Sequence, residues 1–488
     1  MRKNHFLAFD LGASSGRAIL GTLSEDKLEL TEVHRFENQM QLIQGHYFWN
    51  IFSLFNELKT GLKKCIQEFG IQPESIGVDT WGVDFVHLNK EGQIISLPFA
   101  YRDSRTDTAM EDLFQQVPKE EVYRQTGIQF MQFNSLFQLF SMVKDQSSLL
   151  EITDKILFMP DALNYLFSGK AVTEFSIAST SQMIAPGTKN WQVDLLQKAG
   201  IPTSLLTEIV DPGTIIGTVL AEVAEETGSQ QIPVIAVAGH DTASAIASVP
   251  ASDKNYAYIS SGTWSLMGIE SGQPLVSDQT LEMNYTNEGG VEGTTRFLKN
   301  IMGMWLIQEC RRTWLKEKNY SWDEMVQLAQ GAEPFKYLIN PDDSVFLNPG
   351  NMPEAIVRFC EASGQGKPET HAEIIRCVYD SLALKYRYTL EQIRTVSEQP
   401  IERIHIIGGG ANNRFLNQLT ADATKLTVIA GPTEATATGN ILVQAKAMGA
   451  LQSLEAMRAV VRKSFEVEEF KPDPKLDWDR AYQKYLSL

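Results

Sequence analysis

Cysteine is scarce in this chain, with four in 488 residues: Cys65, Cys310, Cys360 and Cys377. No two of them form a CxxC pair, so the spacing offers neither a zinc knuckle nor a thioredoxin-type redox site. So low a count suits a reducing compartment, although Cys360 and Cys377 lie close enough in sequence to bridge under oxidation. Long apolar runs are missing too. The opening Met1-Arg2-Lys3 before Phe6-Leu7-Ala8-Phe9 has the outline of a signal peptide, but Asp10 and Arg17 interrupt it. Nowhere else do about 18 apolar residues run together, so no membrane span is expected and the cytoplasm is the expected location. Basic excess is absent: 43 Lys plus Arg stand against 60 Asp plus Glu, a net charge of −17. Such a surface repels nucleic-acid phosphate and anionic lipid, and neither is expected as a partner. Two common nucleotide motifs fail on spacing. Gly364-Gln365-Gly366-Lys367 lacks the first glycine and the final hydroxyl of a P-loop, and Gly408-Gly409-Gly410-Ala411-Asn412-Asn413 has the wrong pattern for a dinucleotide fingerprint.

What is present is an ordinary globular balance, 43% hydrophobic and 9% aromatic. The length exceeds what one hydrophobic core supports, which predicts at least two domains. Residues 6–22 read as strand, turn, strand around Gly12-Ala13-Ser14-Ser15-Gly16. Apolar positions at helical spacing (Ile51, Leu54, Phe55, Leu58, Leu62, Ile66) follow over residues 50–69. Residues 75–88 are β-rich and Gly92 marks a hairpin, whereas residues 105–170 read as mainly helical, broken at Pro118, Gly127 and Pro160. A second strand-turn-strand spans residues 256–269, around Ser261-Gly262-Thr263, and hints at two related domains. Beyond it come a helix over residues 372–396, a strand at 404–407, the Gly408-Gly409-Gly410 turn, a helix near Asn413 and a strand at 426–429. That alternation is an α/β pattern. Residues 466–488 read as a packed tail without a motif.

Five segments could carry chemistry, and each also has a plainer reading. The turn after Asp10 exposes backbone N–H groups and hydroxyls suited to phosphate, and Asp10 could hold Mg²⁺ through water; an ordinary hairpin has the same composition. An apolar strand delivers Gly239-His240-Asp241 to its end, where a carboxylate could act as a general base or simply cap the helix that follows. Ser260-Ser261-Gly262-Thr263 could bind a second phosphate. Gly408-Gly409-Gly410 could let a flat base approach the backbone, or serve as a plain αβ connection. Trp81 and Gly82, with Arg102 and Asp103 downstream, suit a sugar, but Trp81 could equally fill a core.

Taken in order, these segments resemble the sugar kinases of the FGGY group, within the actin and hexokinase-like ATPase architecture. The match is carried by Phe9-Asp10-Leu11-Gly12-Ala13-Ser14-Ser15-Gly16-Arg17, Asp79-Thr80-Trp81-Gly82-Val83-Asp84-Phe85, Gly239-His240-Asp241-Thr242-Ala243-Ser244-Ala245 and Ser260-Ser261-Gly262-Thr263-Trp264-Ser265. It continues through Gly408-Gly409-Gly410-Ala411-Asn412-Asn413 to Gly439-Asn440. The resemblance implies an α/β fold of two related actin-like (ribonuclease H-like) ATPase domains, residues 1–245 and 246–488, flanking a central cleft. It implies phosphorylation of L-rhamnulose at its 1-hydroxyl by MgATP, with the Asp79-Thr80-Trp81-Gly82 segment favouring that ketose. By similarity, Ala13, Ser14, Ser15, Gly16, Arg17, Thr263, Gln308 and Gly409 would contact ATP. Gly82, His240, Asp241, Thr242 and Asn300 would contact the sugar, Asp241 would be the proton acceptor, and Asp10 would help place Mg²⁺. The alternatives are another ketose, such as L-fuculose or D-xylulose, or an actin-like ATPase module without a sugar acceptor. Oligomeric state is not written in the motifs; a monomer is the starting expectation.

Overall fold

The computed structural model describes residues 3–488. Met1 and Arg2, the basic start of the signal-peptide outline, lie outside the described residues. Phe6 to Phe9 are wholly buried in a strand, and among the described residues no helix is long and apolar enough to cross a membrane.

The chain forms two compact units. The first holds residues up to Ser252 together with Glu270–Phe297 and Ala435–Phe465; the second holds Asp253–Ile269, Leu298–Glu434 and Glu466–Leu488. These units differ from a cut at 245/246, because a late helix returns to the first sheet.

In the first unit a sheet is built from β1 (Lys3–Leu11), β2 (Ser15–Ser24), β3 (Lys27–Glu37), β4 (Ser75–Thr80), β5 (Thr214–Thr218) and β6 (Pro233–Ala236), in the order β5-β6-β4-β1-β2-β3. β1 pairs antiparallel with β2, setting Asp10 opposite Arg17, and parallel with β4, setting Asp10 opposite Asp79. β4 pairs parallel with β6, and a bridge joins Thr80 to His240. Parallel pairing delivers the C-terminal ends of β1, β4 and β6 to one edge of the sheet, where ligands bind in open α/β sheets. Strands buried on both faces read as continuous apolar runs, which is why Phe6-Leu7-Ala8-Phe9 carried so strong a signal.

The second unit repeats this order. β7 (Tyr256–Ser261), β8 (Trp264–Ser271), β9 (Thr295–Met302), β10 (Arg403–Ile407), β11 (Thr427–Ala430) and β12 (Glu468–Phe470) follow the sequence β9-β8-β7-β10-β11-β12 within their sheet. β7/β8 is antiparallel, β7/β10 and β10/β11 are parallel, and β11/β12 is antiparallel. These four pairings run in the same directions as β1/β2, β1/β4, β4/β6 and the antiparallel β5/β6 of the first unit. The repeat that the residues only hinted at is therefore a repeat of topology.

Helices cover the sheets. α1 (Ile51–Gln67) buries Ile51, Leu54, Leu58 and Leu62, the periodic positions expected from the sequence. α2 (Asp241–Ala247) follows β6, and α3 (Trp305–Trp314) follows β9. α4 (His371–Val396) opens with a Thr370/Glu373 capping box and is buried on every side from Ile374 to Tyr386, as a helix inside a large domain is. α5 (Arg414–Thr424) is capped by Asn413, and α6 (Ala435–Ala447) belongs to the first unit.

Within residues 105–170, Pro118 caps the helix Lys119–Thr126 and Gly127 (φ +65°) ends it. Pro160 starts the helix Met159–Ser168 instead of breaking one, since a missing N–H costs nothing in a first turn. Lys155–Phe158, read as helical, is a strand paired with Phe85–Leu88. A four-residue apolar run gives no period by which to tell the two apart.

Candidate active site

The turn after β1 has no secondary structure of its own to hold it. Its grip comes from Asn38, buried at the end of β3, whose N–H donates to the Ser14 carbonyl (3.1 Å) and whose side-chain amide donates to the Gly12 carbonyl (2.9 Å). Ala13 and Ser14 are exposed at its tip. A Cβ on Gly16 would lie 2.2 Å from the Phe36 ring, so that glycine is a packing requirement. Arg17 Nη2 donates to Asp10 Oδ2 at 2.6 Å.

Asp10 faces Asp79 across the sheet. Asp79 is wholly buried, and its Oδ2 accepts from Asn440 Nδ2 at 2.6 Å while Oδ1 has no hydrogen-bond partner. Burial, reinforced by the neighbouring charge of Asp10, pushes the Asp79 carboxyl well above its ordinary range.

At the end of β6 the loop into α2 is organised from below by Glu174. Its Oε2 accepts from the N–H groups of Gly239 (2.8 Å) and Ile177 (3.1 Å) and from Ser176 Oγ (2.6 Å). Burial still holds the Glu174 carboxyl above its usual range. His240 is the cap residue of α2: its carbonyl accepts from Ala243 and Ser244. Asp241 is thus the first helical residue, not the cap that the sequence also allowed. Its side chain is 33% exposed, whereas that of His240 is 9% exposed. Asp241 Oδ1 accepts from the Thr242 N–H and, at 3.1 Å, from Thr242 Oγ1. Among the described residues Oδ2 has no hydrogen-bond donor, so it is the oxygen available to a substrate.

Gly82 and Val83 form the other wall of this edge. Val83 has φ +69°, a strained conformation for a β-branched residue, held by Ser135 Oγ donating to its carbonyl at 2.6 Å and by its own N–H donating to Thr180 Oγ1 at 3.3 Å. Trp81 is not a sugar platform. It is buried against Trp49 with ring centroids 4.4 Å apart, and its Nε1–H donates to Asp84 Oδ2 at 2.9 Å. The same oxygen accepts from Trp49 Nε1 (2.7 Å) and the Tyr101 N–H (3.1 Å), while Gln138 Nε2 donates to Oδ1 (3.1 Å). Burial raises the Asp84 pKa to about 6, against the pull of these donors.

In the second unit the Ser261-Gly262-Thr263 turn is closed by the Gly262 N–H donating to the Trp264 carbonyl (2.8 Å). α3 docks beneath it: the Trp305 N–H donates to the Thr263 carbonyl (3.1 Å) and Thr263 Oγ1 donates to Gln308 Oε1 (3.3 Å). Two residues expected at ATP are thereby brought together. Gly410 packs so tightly on this turn that a Cβ there would meet Ser261 Oγ at 2.0 Å, whereas a Cβ on Gly409 would meet nothing within 4 Å. Gly408, with φ +80°, turns the backbone so that Gly409 borders open space. Asn300 lies partly buried on β9, in this unit and not in the unit that carries His240 to Thr242. Cys360 and Cys377 are free, buried thiols.

The first unit thus carries a strand-turn-strand loop with small hydroxyl residues and a half-exposed carboxylate at a sheet edge, and the second carries a strand-turn-strand loop of the same kind and a glycine turn facing open space. The N-terminal domain model of the FGGY family of carbohydrate kinases matches residues 5–248, and the C-terminal domain model matches residues 257–448. The chain belongs to this family. As an FGGY kinase it is an ATP-dependent sugar kinase. It is 48% identical over 480 residues to a rhamnulokinase of Bacteroides thetaiotaomicron, covering 98% of both chains. It is 42% identical to a rhamnulokinase of Bacillus subtilis, covering 98% of this chain and 96% of the other. Among solved structures, a xylulose kinase from Lactobacillus acidophilus superposes with a TM-score of 0.80 at 15% identity, over 99% of this chain and 96% of that one. Plasmodium falciparum glycerol kinase with ADP gives 0.79 at 15% identity, over 99% and 97%. At that identity the likeness carries the fold: two actin-like domains of mixed α/β structure.

Sequence reasoning missed the residues that hold these loops in place: Asn38, Glu174 and Ser176. Each acts across long sequence separation with no motif around it. Asn440 had left a trace, as part of the Gly439-Asn440 pair that extends the family resemblance.

Proposed function

We propose that the chain transfers the γ-phosphoryl group of MgATP to the 1-hydroxyl of L-rhamnulose, in the cytoplasm, with Asp241 as the base. The observation that carries the choice of sugar is the 48% identity, over 480 residues, to a protein named rhamnulokinase. Asp241 Oδ2, unbonded and half-exposed, is the oxygen that accepts the hydroxyl proton as transfer proceeds. His240, Thr242, Gly82 and Asn300 bind the ketose. The turn from Ala13 to Arg17, with Thr263, Gln308 and Gly409, holds the nucleotide. Phosphoryl transfer asks mainly for positioning and charge neutralisation, and fixed loops of N–H and hydroxyl donors supply both.

The residues fit a magnesium ion carried in on the nucleotide. Asp10 lies near the end of β1 with its Oδ2 engaged by Arg17, and its carboxylate would meet the ion through water. Mg²⁺ prefers such a sparse set, because it dehydrates reluctantly. Among the described residues no cluster of three or more acidic, His or Cys side chains is arranged to cage a metal. When bound, the ion neutralises phosphate charge. Asp10 itself orients that hydrated ion and keeps Arg17 aligned with the turn.

A coupled ADP-release assay over L-rhamnulose, L-fuculose, D-xylulose and glycerol tests the reading. Turnover should be greatest with L-rhamnulose. A preference for another ketose would move the substrate, and ATP hydrolysis indifferent to every sugar would remove the acceptor altogether. Asp241→Asn should lower kcat by about 1,000-fold while ADP still binds; near-normal turnover would reject the base.

A further inference from the structure

The short strand Thr286–Gly289 and the start of β9 bring Glu288 and Arg296 against His240, within the first unit. Neither residue carries a role in the function just described. Arg296 is 0% exposed. Its Nε–H donates to the Gly289 carbonyl at 2.9 Å, and Nη2 makes a hydrogen bond of 3.2 Å with His240 Nδ1. Glu288 Oε2 lies 3.0 Å from Nη2 and 3.3 Å from Nδ1, as an ion-pair neighbour without an aligned hydrogen bond to either. Burial pushes the Glu288 carboxyl up, but the Arg296 guanidinium pulls the other way and the carboxyl is held below its usual range. On the opposite side of the ring, Nε2 is 3.4 Å from Asp241 Oδ1. Glu174 is the remaining acid of this loop, bonded to the Gly239 N–H.

A guanidinium has five donors and no acceptor, and it stays charged in proteins. A hydrogen bond between Arg296 and Nδ1 therefore needs a lone pair on Nδ1, which leaves the proton of the neutral ring on Nε2.

We propose that Arg296, balanced by Glu288, fixes His240 as the neutral Nε2–H tautomer, so that His240 donates toward Asp241 Oδ1 and cannot take the proton of the acceptor hydroxyl. Arg296 and Glu288 are positioning residues. Through His240 they anchor one oxygen of Asp241 and leave its Oδ2 to accept the proton. The inference rests on Asp241 being the base.

The test is the ring ¹⁵N–¹H spectrum of the full-length protein labelled at histidine, with the His240 signals assigned by their loss in His240→Gln. At about pH 8, where the histidine ring is neutral, its proton should be found on Nε2. A neutral ring protonated on Nδ1 overturns the proposal, and this measurement needs no substitution in the cluster. Arg296→Met leaves Glu288 facing Nδ1. It should move the proton to Nδ1 and lower kcat about 100-fold, with the sugar KM held within about threefold. Unchanged kcat and tautomer in that variant would also overturn it. The two assignments fail separately. Inactive Asp241→Asn beside a wild-type Nδ1–H ring removes the part played by Arg296 alone, whereas active Asp241→Asn beside an Nε2–H ring removes the base alone.

Discussion

Asp84 shows how much chemistry a buried residue can carry without touching substrate. It gathers the N–H groups of two tryptophans, one glutamine and one backbone amide, and so fixes the loop that presents Gly82. Its pKa of about 6 has a consequence for stability. At about pH 5 the folded state still holds this proton, while an unfolded aspartate, titrating near 3.9, has released it. The folded state then binds more protons than the unfolded state, so stability falls as pH rises through the folded pKa and levels off above it. Asp84→Asn cannot titrate. Between about pH 5 and 7, urea unfolding should show wild type losing about 1 kcal/mol more than the variant; equal losses would mean that Asp84 stays ionised throughout. Legibility at this scale was uneven. Asp241 could be found because a strand end and small helix-opening residues flank it. Trp81 was open to two readings, since nothing local distinguishes an indole that meets a sugar from one that meets a buried carboxylate.

At the scale of elements, the turns were legible and their supports were not. Gly12 to Gly16, Ser261 to Thr263 and Gly408 to Gly410 stood out by composition, because tight turns draw on few residue types. Why each glycine is needed emerges only from what it packs against. Gly410 lies on Ser261, and Gly409 beside it faces open space. Gly410→Ala would drive its Cβ into the Ser261 side chain and backbone, lifting the glycine turn away from the Ser261-Gly262-Thr263 loop. Both loops serve the nucleotide in the proposed function, so the KM for ATP should rise about tenfold, equivalent to ~1.4 kcal/mol, while the KM for sugar stays put. Adding Ser261→Gly, which removes the side chain that the new Cβ meets, should relieve most of the rise; an unrelieved rise would implicate backbone freedom and not packing. The strand Lys155–Phe158 marks the other limit, since its apolar run is too short for periodicity to speak.

For the whole molecule, the sequence order of segments conceals which of them share a core. The strand order recurs in the two units, yet α6 begins only at Ala435, far along the chain from β4, and packs in the first unit. Its polar face is specific. Asn440 Nδ2 donates to Asp79 and to the Gly77 carbonyl (3.2 Å), and Gln444 accepts from Ser75 Oγ (2.8 Å) and donates to the Leu7 carbonyl (3.1 Å). Its apolar side meets β2, where a Cβ on Gly21 would fall 2.5 Å from Ile441. Gly439 lets the helix touch α2 so closely that a Cβ would meet the Ser244 carbonyl oxygen at 1.8 Å. Without α6 the first sheet would expose that apolar face and leave the Asp79 and Ser75 side chains without these partners, each costing about 1–3 kcal/mol. A fragment ending at Ser252 should therefore lack a cooperative urea transition and near-ultraviolet dichroism of its own. The separate chain from Asp253 onward, which carries Ala435–Phe465, should restore both when mixed with it. Cooperative unfolding of the isolated fragment would show that residues up to Ser252 hold a complete core, and that α6 only covers what β1, β4 and α2 already stabilise.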